Sequence, residues 1–406
     1  MGEVDLHLFS QNCTFFLQMA LRTLFTLVLI ILMARGGSAQ TFPEFLRRLD
    51  TTRGAERKSK LIDDFFASHP IPFVDRESAY ILYRGPGEHV SAPGEFNRWS
   101  PSVCPLGRVR GTNLFYRSES LPLDGRAEYK LWVDSTWMLD PANPRRCPGA
   151  FGDNSEIRMP EFRPPAEPQK VPGRRRGTID TVWIKSTRLG RPHPVFIYVP
   201  ADSGRRRALP LLLVTDGGDY LTYGGMKEIL DDLIDQKAIR PIVCAFIDPR
   251  TDLADNRTNM RMKEYSADSS YLDFIQQEVV PMLEDRYAVS TESSGRVMIG
   301  ASMGGLIATY AVLARPKLVS RCAAQSPSYF EADSAVFRTL GTTRTTGAEV
   351  YIQTGTIGDT KVEARLVRQL LEQKGARVKY EEFPEGHNWT NWRGKLGKIL
   401  RYFFAP

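Results

Sequence analysis

The chain has 406 residues, of which 42% are hydrophobic and 25% are charged, and its formal net charge at pH 7 is +7. This composition supplies enough apolar side chains for at least one large core, and it excludes a disordered chain, a collagen-like chain and a multi-span membrane protein. At about 150 residues per domain, the length predicts roughly two to three domains.

The N-terminal segment has the features of a secretory signal peptide. Thr23–Ala34 is an apolar run of 12 residues without a charge, which follows Arg22 and leads to small residues ending at Ala39. A basic start, a short apolar core and a small-x-small end are typical of a cleaved signal, whereas a membrane-spanning helix needs about 20 apolar residues. We predict a signal peptide over residues 1–39, a secreted or periplasmic mature protein, and no stable membrane insertion after cleavage. An uncleaved membrane anchor is the alternative.

Residues 40–162 are predicted to form an N-terminal domain. Apolar side chains recur at helical spacing through residues 41–70. From Ser78 to Pro160 the pattern changes to short alternating strands separated by turn residues, which indicates a small all-β, immunoglobulin-like sandwich. The clearest predicted strands are Ala79–Tyr83, Leu114–Arg117, Tyr129–Val133 and Thr136–Leu139.

Four cysteines follow residue 39. Cys244 and Cys322 fall in apolar runs and are expected to be buried small hydrophobic side chains. Cys104 and Cys147 both lie in the predicted N-terminal domain. The sequence leaves open whether these two pair, because it does not fix the distance between them.

Residues 163–177 are rich in proline and charge and are predicted to be a linker. Two arginine runs, Arg174–Arg176 and Arg205–Arg207, lie beside proline or glycine and are expected to be solvated loops. No helix-turn-helix, zinc-finger or RNA-binding aromatic pattern accompanies them, so no nucleic-acid partner is expected.

In residues 178–406, apolar strands alternate with amphipathic helices. This alternation predicts a mostly parallel sheet with helices on both faces. The expected strands are Val195–Val199, Leu211–Thr215, Val243–Ile247, Arg296–Ile299, Cys322–Ser326, Val350–Thr354 and Val378–Phe383, and the expected helices lie near 224–236, 269–286, 303–314, 360–374 and 391–403.

A Gly-Ala-Ser-Met-Gly sequence at 300–304 follows a predicted strand and opens a predicted helix. A nucleophile elbow requires this context, because its serine occupies a tight turn that only small residues can flank. Ser302 is therefore the predicted nucleophile, and the N–H of Met303 is a predicted oxyanion donor. The alternative is a structural Gly/Ser turn.

A nucleophilic serine needs a base near neutral pH, and the chain has five histidines. His387 lies in the loop after the last predicted strand and follows Ser302 in chain order, as in other hydrolases with this motif. The other histidines lie in the leader, in the N-terminal region or before the first strand of the second domain. His387 is therefore the predicted base.

The predicted acid is Asp359, which follows the strand Val350–Thr354. There a carboxylate can accept a hydrogen bond from the second imidazole nitrogen and fix the tautomer. The alternatives are that Asp359 only caps the following helix, or that Glu363, Glu382 or Glu385 is the acid.

A second oxyanion donor is expected in the loop after an earlier strand. The strand Leu211–Thr215 ends in Asp-Gly-Gly-Asp-Tyr, and glycine lets a backbone N–H approach a ligand closely. The donor is the N–H of Gly217 or that of Gly218, and an ordinary turn is the alternative.

Several motifs carry a resemblance to a known family: VTDGGDY at 214–220, IGASMGG at 299–305, TGTIGD at 354–359 and EGHNWTNWR at 385–393. With them, residues 178–405 resemble the putative-esterase family of α/β-hydrolases, and the last motif is most similar to its enterochelin-esterase branch. The resemblance implies an α/β-hydrolase fold, esterase activity without a cofactor, and Ser302, Asp359 and His387 as a catalytic triad.

In the N-terminal domain, GEFNRWSP at 94–101 and YKLWVDSTWMLDP at 129–141 resemble the glycogen-binding early-set module. That resemblance implies Trp99 and Trp137 as sugar-stacking side chains, with Lys130 nearby. Enterochelin esterases carry a similar domain that packs over the active site without binding polysaccharide, which is the alternative implied by the esterase resemblance.

Two further residues are predicted to contact substrate. Trp389 lies close to His387, with core packing as its alternative, and Tyr329 follows a predicted strand. No cluster of histidine, cysteine and carboxylate residues suggests a metal, and no cofactor is expected.

Together these features predict a serine carboxylic ester hydrolase acting on short-acyl or aryl esters, including carbohydrate-linked esters of the feruloyl or acetyl type. The expected partner is a small-molecule or carbohydrate-linked ester. The short stretch between Tyr329 and Ala348 leaves no room for a helical lid, which favours an open cleft and a polar substrate. The alternatives are a siderophore (enterobactin-like) trilactone esterase, an acyltransferase that excludes water, and a carbohydrate-binding protein with an inactive hydrolase domain.

Overall fold

The computed structural model describes residues 41–165, 173, 175–201 and 208–406. The predicted signal peptide, part of the predicted linker, Arg174 and the run Arg205–Arg207 lie outside these residues. The chain divides into two compact units, Met1–Asp64 and Phe65–Pro406. None of the helices in the described ranges combines the length and the apolar character that crossing a membrane requires.

The described part of the first unit is helical, as the sequence predicts. The helix Phe42–Thr51 begins at a capping box, in which the Thr41 side chain accepts from the Glu44 N–H and the Glu44 carboxylate accepts from the Thr41 N–H. The next helix is Ala55–Ser68. The helix Phe42–Thr51 buries three apolar side chains spaced three and four residues apart: Phe42, Phe45 and Leu49.

Residues 73–158, all described, form a β domain of short antiparallel strands. The strands form three small sheets in the orders β1-β2-β5-β4, β3-β7-β8 and β6-β10-β9. The strands are β1 Phe73–Asp75, β2 Ser78–Arg84, β3 Val90–Ser91, β4 Gly107–Arg108, β5 Leu114–Ser120, β6 Arg126–Tyr129, β7 Leu131–Val133, β8 Thr136–Met138, β9 Arg146–Cys147 and β10 Asn154–Arg158.

The predicted single strand Tyr129–Val133 is wrong. The chain leaves one sheet at Tyr129 and enters another at Leu131, because β6 pairs with β10 whereas β7 pairs with β3 and β8. Alternating apolar residues continue across this change, and periodicity therefore gives no sign of it.

Cys104 and Cys147 are buried free thiols, so the pairing that the sequence left open is not formed. The Sγ atom of Cys147 instead accepts a hydrogen bond of 2.9 Å from Arg126 Nη2. Cys244 and Cys322 are buried, as expected from the apolar runs that contain them.

Residues 178–406 form an α/β domain around an eight-stranded sheet in the order β11-β12-β14-β13-β15-β16-β17-β18. The first two pairings in this order are antiparallel and the others are parallel. The edge strand β11 was not predicted; most of its residues are exposed or half-buried. The strands are β11 Thr178–Lys185, β12 Pro192–Val199, β13 Leu211–Val214, β14 Val243–Ile247, β15 Arg296–Ala301, β16 Arg321–Gln325, β17 Glu349–Gly355 and β18 Arg377–Phe383.

Apolar side chains on the two faces of this sheet belong to two separate buried clusters. Leu211 and Leu213 contribute to one cluster, while Leu212 and Val214 contribute to the other. A sheet buried on both faces is expected when crossover helices cover them, and the prediction of a mostly parallel sheet is confirmed. The α-helices of this domain are Gly217–Thr222, Met226–Asp235, Arg261–Glu264, Ser269–Phe274, Val280–Arg286, Met303–Ala314, Ala335–Thr342, Lys361–Gln373 and Trp389–Phe404, and a π-helical turn, Ile275–Val279, joins two of them.

The carboxyl ends of the parallel strands lie at one edge of the sheet, where ligands bind in open α/β folds. Asp216 follows β13, Ser302 follows β15, Ser326 follows β16, and Asp359 and His387 lie in the loops after β17 and β18.

Candidate active site

The turn that carries Ser302 is sterically tight. Ser302 lies between β15 and the helix Met303–Ala314 with φ 58° and ψ −120°, a strained conformation for a residue with a side chain. A Cβ at Gly300 would lie 2.2 Å from the backbone of Gly304, and a Cβ at Gly304 would lie 2.3 Å from Thr215 Oγ1. The two glycines are therefore required for the turn to form.

The Ser302 hydroxyl lies 3.1 Å from the hydroxyl of Ser328. Within the described residues, no hydrogen bond joins Ser302 to His387, although both side chains line the same cavity. Ser328 was not predicted as a site residue. It lies three residues after the end of β16, and its N–H donates to the Ser302 carbonyl (3.1 Å).

The structure brings Asp359 and His387 into contact. His387 Nδ1 lies 2.7 Å from Asp359 Oδ1, and the Asp359 carboxylate is fully buried while a third of the His387 side chain is exposed. Burial alone would raise the pKa of Asp359, but hydrogen bonds from His387, Ser326 and the Gly355 N–H hold this pKa below its usual value. The carboxyl group is therefore ionised at neutral pH.

Asp359 is oriented by residues of the α/β domain itself. Its Oδ2 atom accepts from Ser326 Oγ (2.6 Å) and from the Gly355 N–H (2.6 Å). Trp392 Nε1 in turn donates to Ser326 Oγ (2.9 Å). The competing acids Glu382 and Glu385 contact Arg365 and Lys395 respectively.

The backbone donors predicted for an oxyanion differ in availability. Met303 and Gly217 are the first residues of their helices, where N–H groups have no intrahelical partner. The N–H of Gly218 donates to Asp248 Oδ2 at 2.8 Å, so it is not free for an oxyanion and its prediction as a donor is wrong.

The cavity in front of Ser302 and His387 has a volume of about 420 Å³, within the range of small-molecule sites. Trp389, predicted as a substrate contact, lines it, as do Trp392 and Tyr223. The segment Pro148–Gly152 of the β domain also lines it, and there the Phe151 side chain is 92% exposed. This segment was not predicted from the sequence, because no local motif distinguishes a surface loop that lines a distant site from any other loop.

Two arginines in the cavity wall are already neutralised. Arg250 pairs with Asp219 and Asp248, both at 2.7 Å, and Arg261 pairs with Asp216 at 2.8 Å. Burial raises the pKa of Asp219 to about 6, although Arg250 opposes this shift. The arginines therefore bring little net positive charge to the cavity.

The prediction that Tyr329 lines the cleft is wrong. Its side chain is fully buried in the core, and its hydroxyl shares a hydrogen bond of 2.8 Å with Thr309 Oγ1. The residue follows a strand, but the chain turns inward there, so that Ser328 rather than Tyr329 approaches Ser302.

The three candidate sugar contacts lie at different places on the β domain. Trp137 is 47% exposed and pairs across the hairpin β7-β8 with Trp132. Trp99 is half-buried at a positive φ of 58°. Lys130 donates from Nζ to the Phe151 carbonyl (3.4 Å) and thereby contacts the segment that lines the cavity.

Among residues 41–165, 173, 175–201 and 208–406, no group of three or more histidine, cysteine, aspartate or glutamate side chains is arranged to hold a metal ion.

Comparison with known proteins places these features in a family. The family described as "Putative esterase" matches residues 186–403. The chain is 26% identical over 238 residues to the uncharacterized protein YjcH of Bacillus subtilis (strain 168), covering 55% of this chain and 97% of that protein. It is 24% identical over 343 residues to the iron(III) enterobactin esterase of Escherichia coli (strain K12), covering 74% of this chain and 82% of that protein.

The fold is also found in a solved structure. A crystal structure of the enterobactin esterase from Shigella flexneri in the presence of enterobactin superposes with a TM-score of 0.64 at 20% identity, covering 80% of this chain and 92% of that chain. The protein is a carboxylic ester hydrolase with an α/β-hydrolase fold. It belongs to the "Putative esterase" family, as the sequence motifs predict.

Proposed function

We propose that the protein hydrolyses esters through a Ser302–His387–Asp359 triad and an acyl-enzyme. The observation that carries this proposal is that a serine on a strained strand-to-helix turn and a carboxylate-bound histidine line one cavity. With Nδ1 bound to Asp359, His387 has Nε2 left to accept the hydroxyl proton of Ser302.

In this mechanism Ser302 Oγ attacks the ester carbonyl while His387 takes its proton. The N–H groups of Met303 and Gly217 then stabilise the oxyanion. His387 returns the proton to the leaving alcohol, and a water activated by the same imidazole hydrolyses the acyl-enzyme. Because catalytic hydrogen bonds often tighten only once substrate is bound, the bond between Ser302 and Ser328 is expected to give way to one between Ser302 and His387.

The cavity favours a short-acyl or aryl ester. Trp389, Trp392 and Tyr223 in its wall and Phe151 at its rim offer aromatic surfaces for a flat acyl group. The paired state of Arg250 and Arg261 favours a substrate without a large negative charge. Esters linked to carbohydrate, as in feruloyl or acetyl esters of sugars, meet both conditions, and the exposed Trp137 offers a face for sugar stacking.

A siderophore triester is the second candidate substrate. The observation favouring it is the similarity to the iron(III) enterobactin esterase of Escherichia coli, which extends over 74% of this chain.

A substrate panel separates these candidates. Purified protein is given feruloyl, acetyl-sugar, short p-nitrophenyl and enterobactin esters, and kcat/KM is compared among them. We expect turnover of aryl or short-acyl esters and, with a long-chain p-nitrophenyl ester added to the panel, little for chains of about twelve carbons or more, which need an apolar tunnel. Ser302→Ala is the control for contaminating esterases. Preference for enterobactin would select the second candidate.

We also propose that the mature protein is secreted or periplasmic. The support is the apolar run Thr23–Ala34 and the small residues before Gln40. N-terminal sequencing of the protein from its native host should find a start near Gln40, whereas an intact Met19–Ala39 segment in the membrane fraction would contradict cleavage.

A further inference from the structure

One arginine of the β domain is completely buried beside the loop that carries His387. The Arg126 side chain, 0% exposed, lies 2.5 Å from Glu128 and 2.5 Å from Glu156, and 3.6 Å from Glu385 of the α/β domain. Its backbone N–H also donates to the Pro384 carbonyl (2.9 Å). Pro384 and Glu385 come directly before the Gly386–His387 pair, so Arg126 holds the entry of this loop by main chain and side chain.

Asn388, the residue after His387, is held by the same group. Its Oδ1 atom accepts from Arg126 Nη1 (3.0 Å) and also caps the following helix by accepting from the Asn391 N–H (2.9 Å). Its Nδ2 atom donates to Glu95 Oε1 at 2.5 Å. Both flanks of His387 therefore depend on side chains of the β domain.

Glu95 packs directly on the backbone between these flanks. A Cβ at Gly386 would lie 2.0 Å from Glu95 Cδ, and a Cβ at Gly358 would lie 2.0 Å from the Glu95 carbonyl oxygen. Gly358 precedes Asp359, so one residue of the β domain touches both the acid loop and the base loop. The second Glu95 oxygen accepts from the Glu128 N–H (3.0 Å) and cannot move freely.

The buried cluster around Arg126 is expected to fix the geometry of its partners more than to stabilise the fold. A buried ion pair is often no more stabilising than apolar packing of the same volume, but a planar guanidinium fixes several acceptors at defined angles. Burial, reinforced by Glu128, raises the pKa of Glu95 well above its usual range.

We propose that Arg126 and Glu95 are positioning residues for His387, which hold the base loop in its catalytic geometry through Asn388, Glu385 and the backbone at Gly386. This inference rests on the proposed role of His387 as the base. The β domain is then part of the catalytic apparatus and not only an attached module, although neither Arg126 nor Glu95 is among the residues lining the cavity.

The first test compares Arg126→Lys and Arg126→Met with a matched control, Arg158→Met. Arg158 pairs with the same Glu156 (2.6 Å) and lies over the Phe162 ring, but its side chain is half exposed and forms no hydrogen bond or ion pair with the histidine loop in the described part of the chain. A misplacement of about 1 Å costs on the order of 10²-fold in rate. We expect kcat to fall about 10- to 100-fold in both Arg126 variants with KM within about threefold, and no change in Arg158→Met.

A second test keeps the proposal testable if the Arg126 variants do not fold. Gly386→Ala should lower kcat at least tenfold, because the added Cβ would overlap with the Glu95 side chain and displace the histidine loop. In a Glu95→Ala background, which is itself slow, adding Gly386→Ala should change kcat less than twofold, a non-additivity expected only of residues in contact. Glu95→Gln keeps the shape of the side chain but replaces one of its two acceptor oxygens by an amide donor, so it should lower kcat, although less than Glu95→Ala.

The outcomes separate this proposal from the proposed function. If Ser302→Ala and His387→Ala are inactive but folded Arg126→Lys and Gly386→Ala have wild-type kcat, the positioning role is wrong and the triad stands. If His387→Ala stays active, the base is misassigned and the proposed function fails first.

Discussion

The turn that carries Ser302 and the loop that carries His387 are fixed by residues that differ greatly in their separation along the chain. The serine turn is shaped by Gly300, Gly304 and the neighbouring Thr215, all in the α/β domain. The histidine loop is held by Arg126 and Glu95, whose bonds to Asn388 span 262 and 293 positions along the chain. The proposed nucleophile is thus placed mainly by its own sequence motif, and the proposed base is held by side chains of the β domain.

This difference has a chemical basis. A nucleophile must be held in a strained conformation, which a backbone achieves with small residues close in sequence. A base is a rotatable side chain that must reach the nucleophile in the substrate complex, and a buried guanidinium can hold the loop that carries it at defined angles.

The largest expected effect comes from removing the nucleophile. Ser302→Ala keeps a Cβ in the strained turn and should fold normally, because it removes one hydroxyl, whose hydrogen bond among the described residues is with Ser328. We expect kcat/KM to fall on the order of 10³-fold or more, measured on the best ester of the panel. A wild-type rate in a folded protein would show that the elbow is structural.

The next effect tests the acid. Asp359→Asn replaces an acceptor facing His387 Nδ1 by an amide, which favours the wrong imidazole tautomer. We expect a loss on the order of 10²- to 10⁴-fold in kcat, smaller than for His387→Ala. Glu363→Gln is the control and should be silent. A loss below threefold for Asp359→Asn would indicate a Ser–His dyad or another carboxylate.

The two regions also differ in how far the sequence could predict them. The elbow, the histidine and the acid were all located from short motifs at strand ends, and the structure brings Asp359 and His387 to 2.7 Å. Tyr329 was misplaced by the same rule, because a strand end fixes where the chain emerges but not which of the next side chains turns inward. Arg126 was not identified. It lies in the four-residue strand β6, where all residues are buried, and nothing local shows that two of its partners, Glu385 and Asn388, lie beyond residue 380.

A third prediction tests whether the elbow is indeed placed by small residues. Gly300→Ala puts a Cβ 2.2 Å from the Gly304 backbone, so the turn must shift. Overpacking of this kind costs about 1–3 kcal/mol, and we expect at least a tenfold loss of kcat with a lower Tm. Gly341→Ala is the matched control: it lies in the helix Ala335–Thr342 with open space around it, and should raise stability by roughly 0.5–1 kcal/mol. An active, stable Gly300→Ala variant would mean that the elbow is not sterically fixed.

The smallest expected effect concerns Ser326, which orients the acid from within the α/β domain. Ser326→Ala removes one of the hydrogen bonds that lower the pKa of Asp359, and it leaves Trp392 Nε1 without its acceptor. We expect only a few-fold loss of kcat, because His387 and the Gly355 N–H still hold the carboxylate. This loss should be smaller than that of Arg126→Lys, because Arg126 holds the loop of the proposed base by side chain and main chain.

The pH dependence of the free energy of unfolding shows whether the Ser326 hydroxyl acts mainly on Asp359 or on Trp392. Because the pKa of Asp359 is lower in the folded state than in the unfolded state, its ionised form stabilises the fold above the unfolded pKa of about 3.9, and this contribution disappears as the pH falls through the folded pKa. The free energy of unfolding that Ser326→Ala loses relative to wild type, measured by urea denaturation, should therefore be largest above about pH 5 and should shrink below about pH 4. Trp392→Phe removes the indole donor but leaves the Ser326–Asp359 bond, so its deficit should hardly vary with pH. If the stability loss of Ser326→Ala also does not vary with pH, the Ser326 hydroxyl stabilises the fold as the acceptor for Trp392 and not through Asp359.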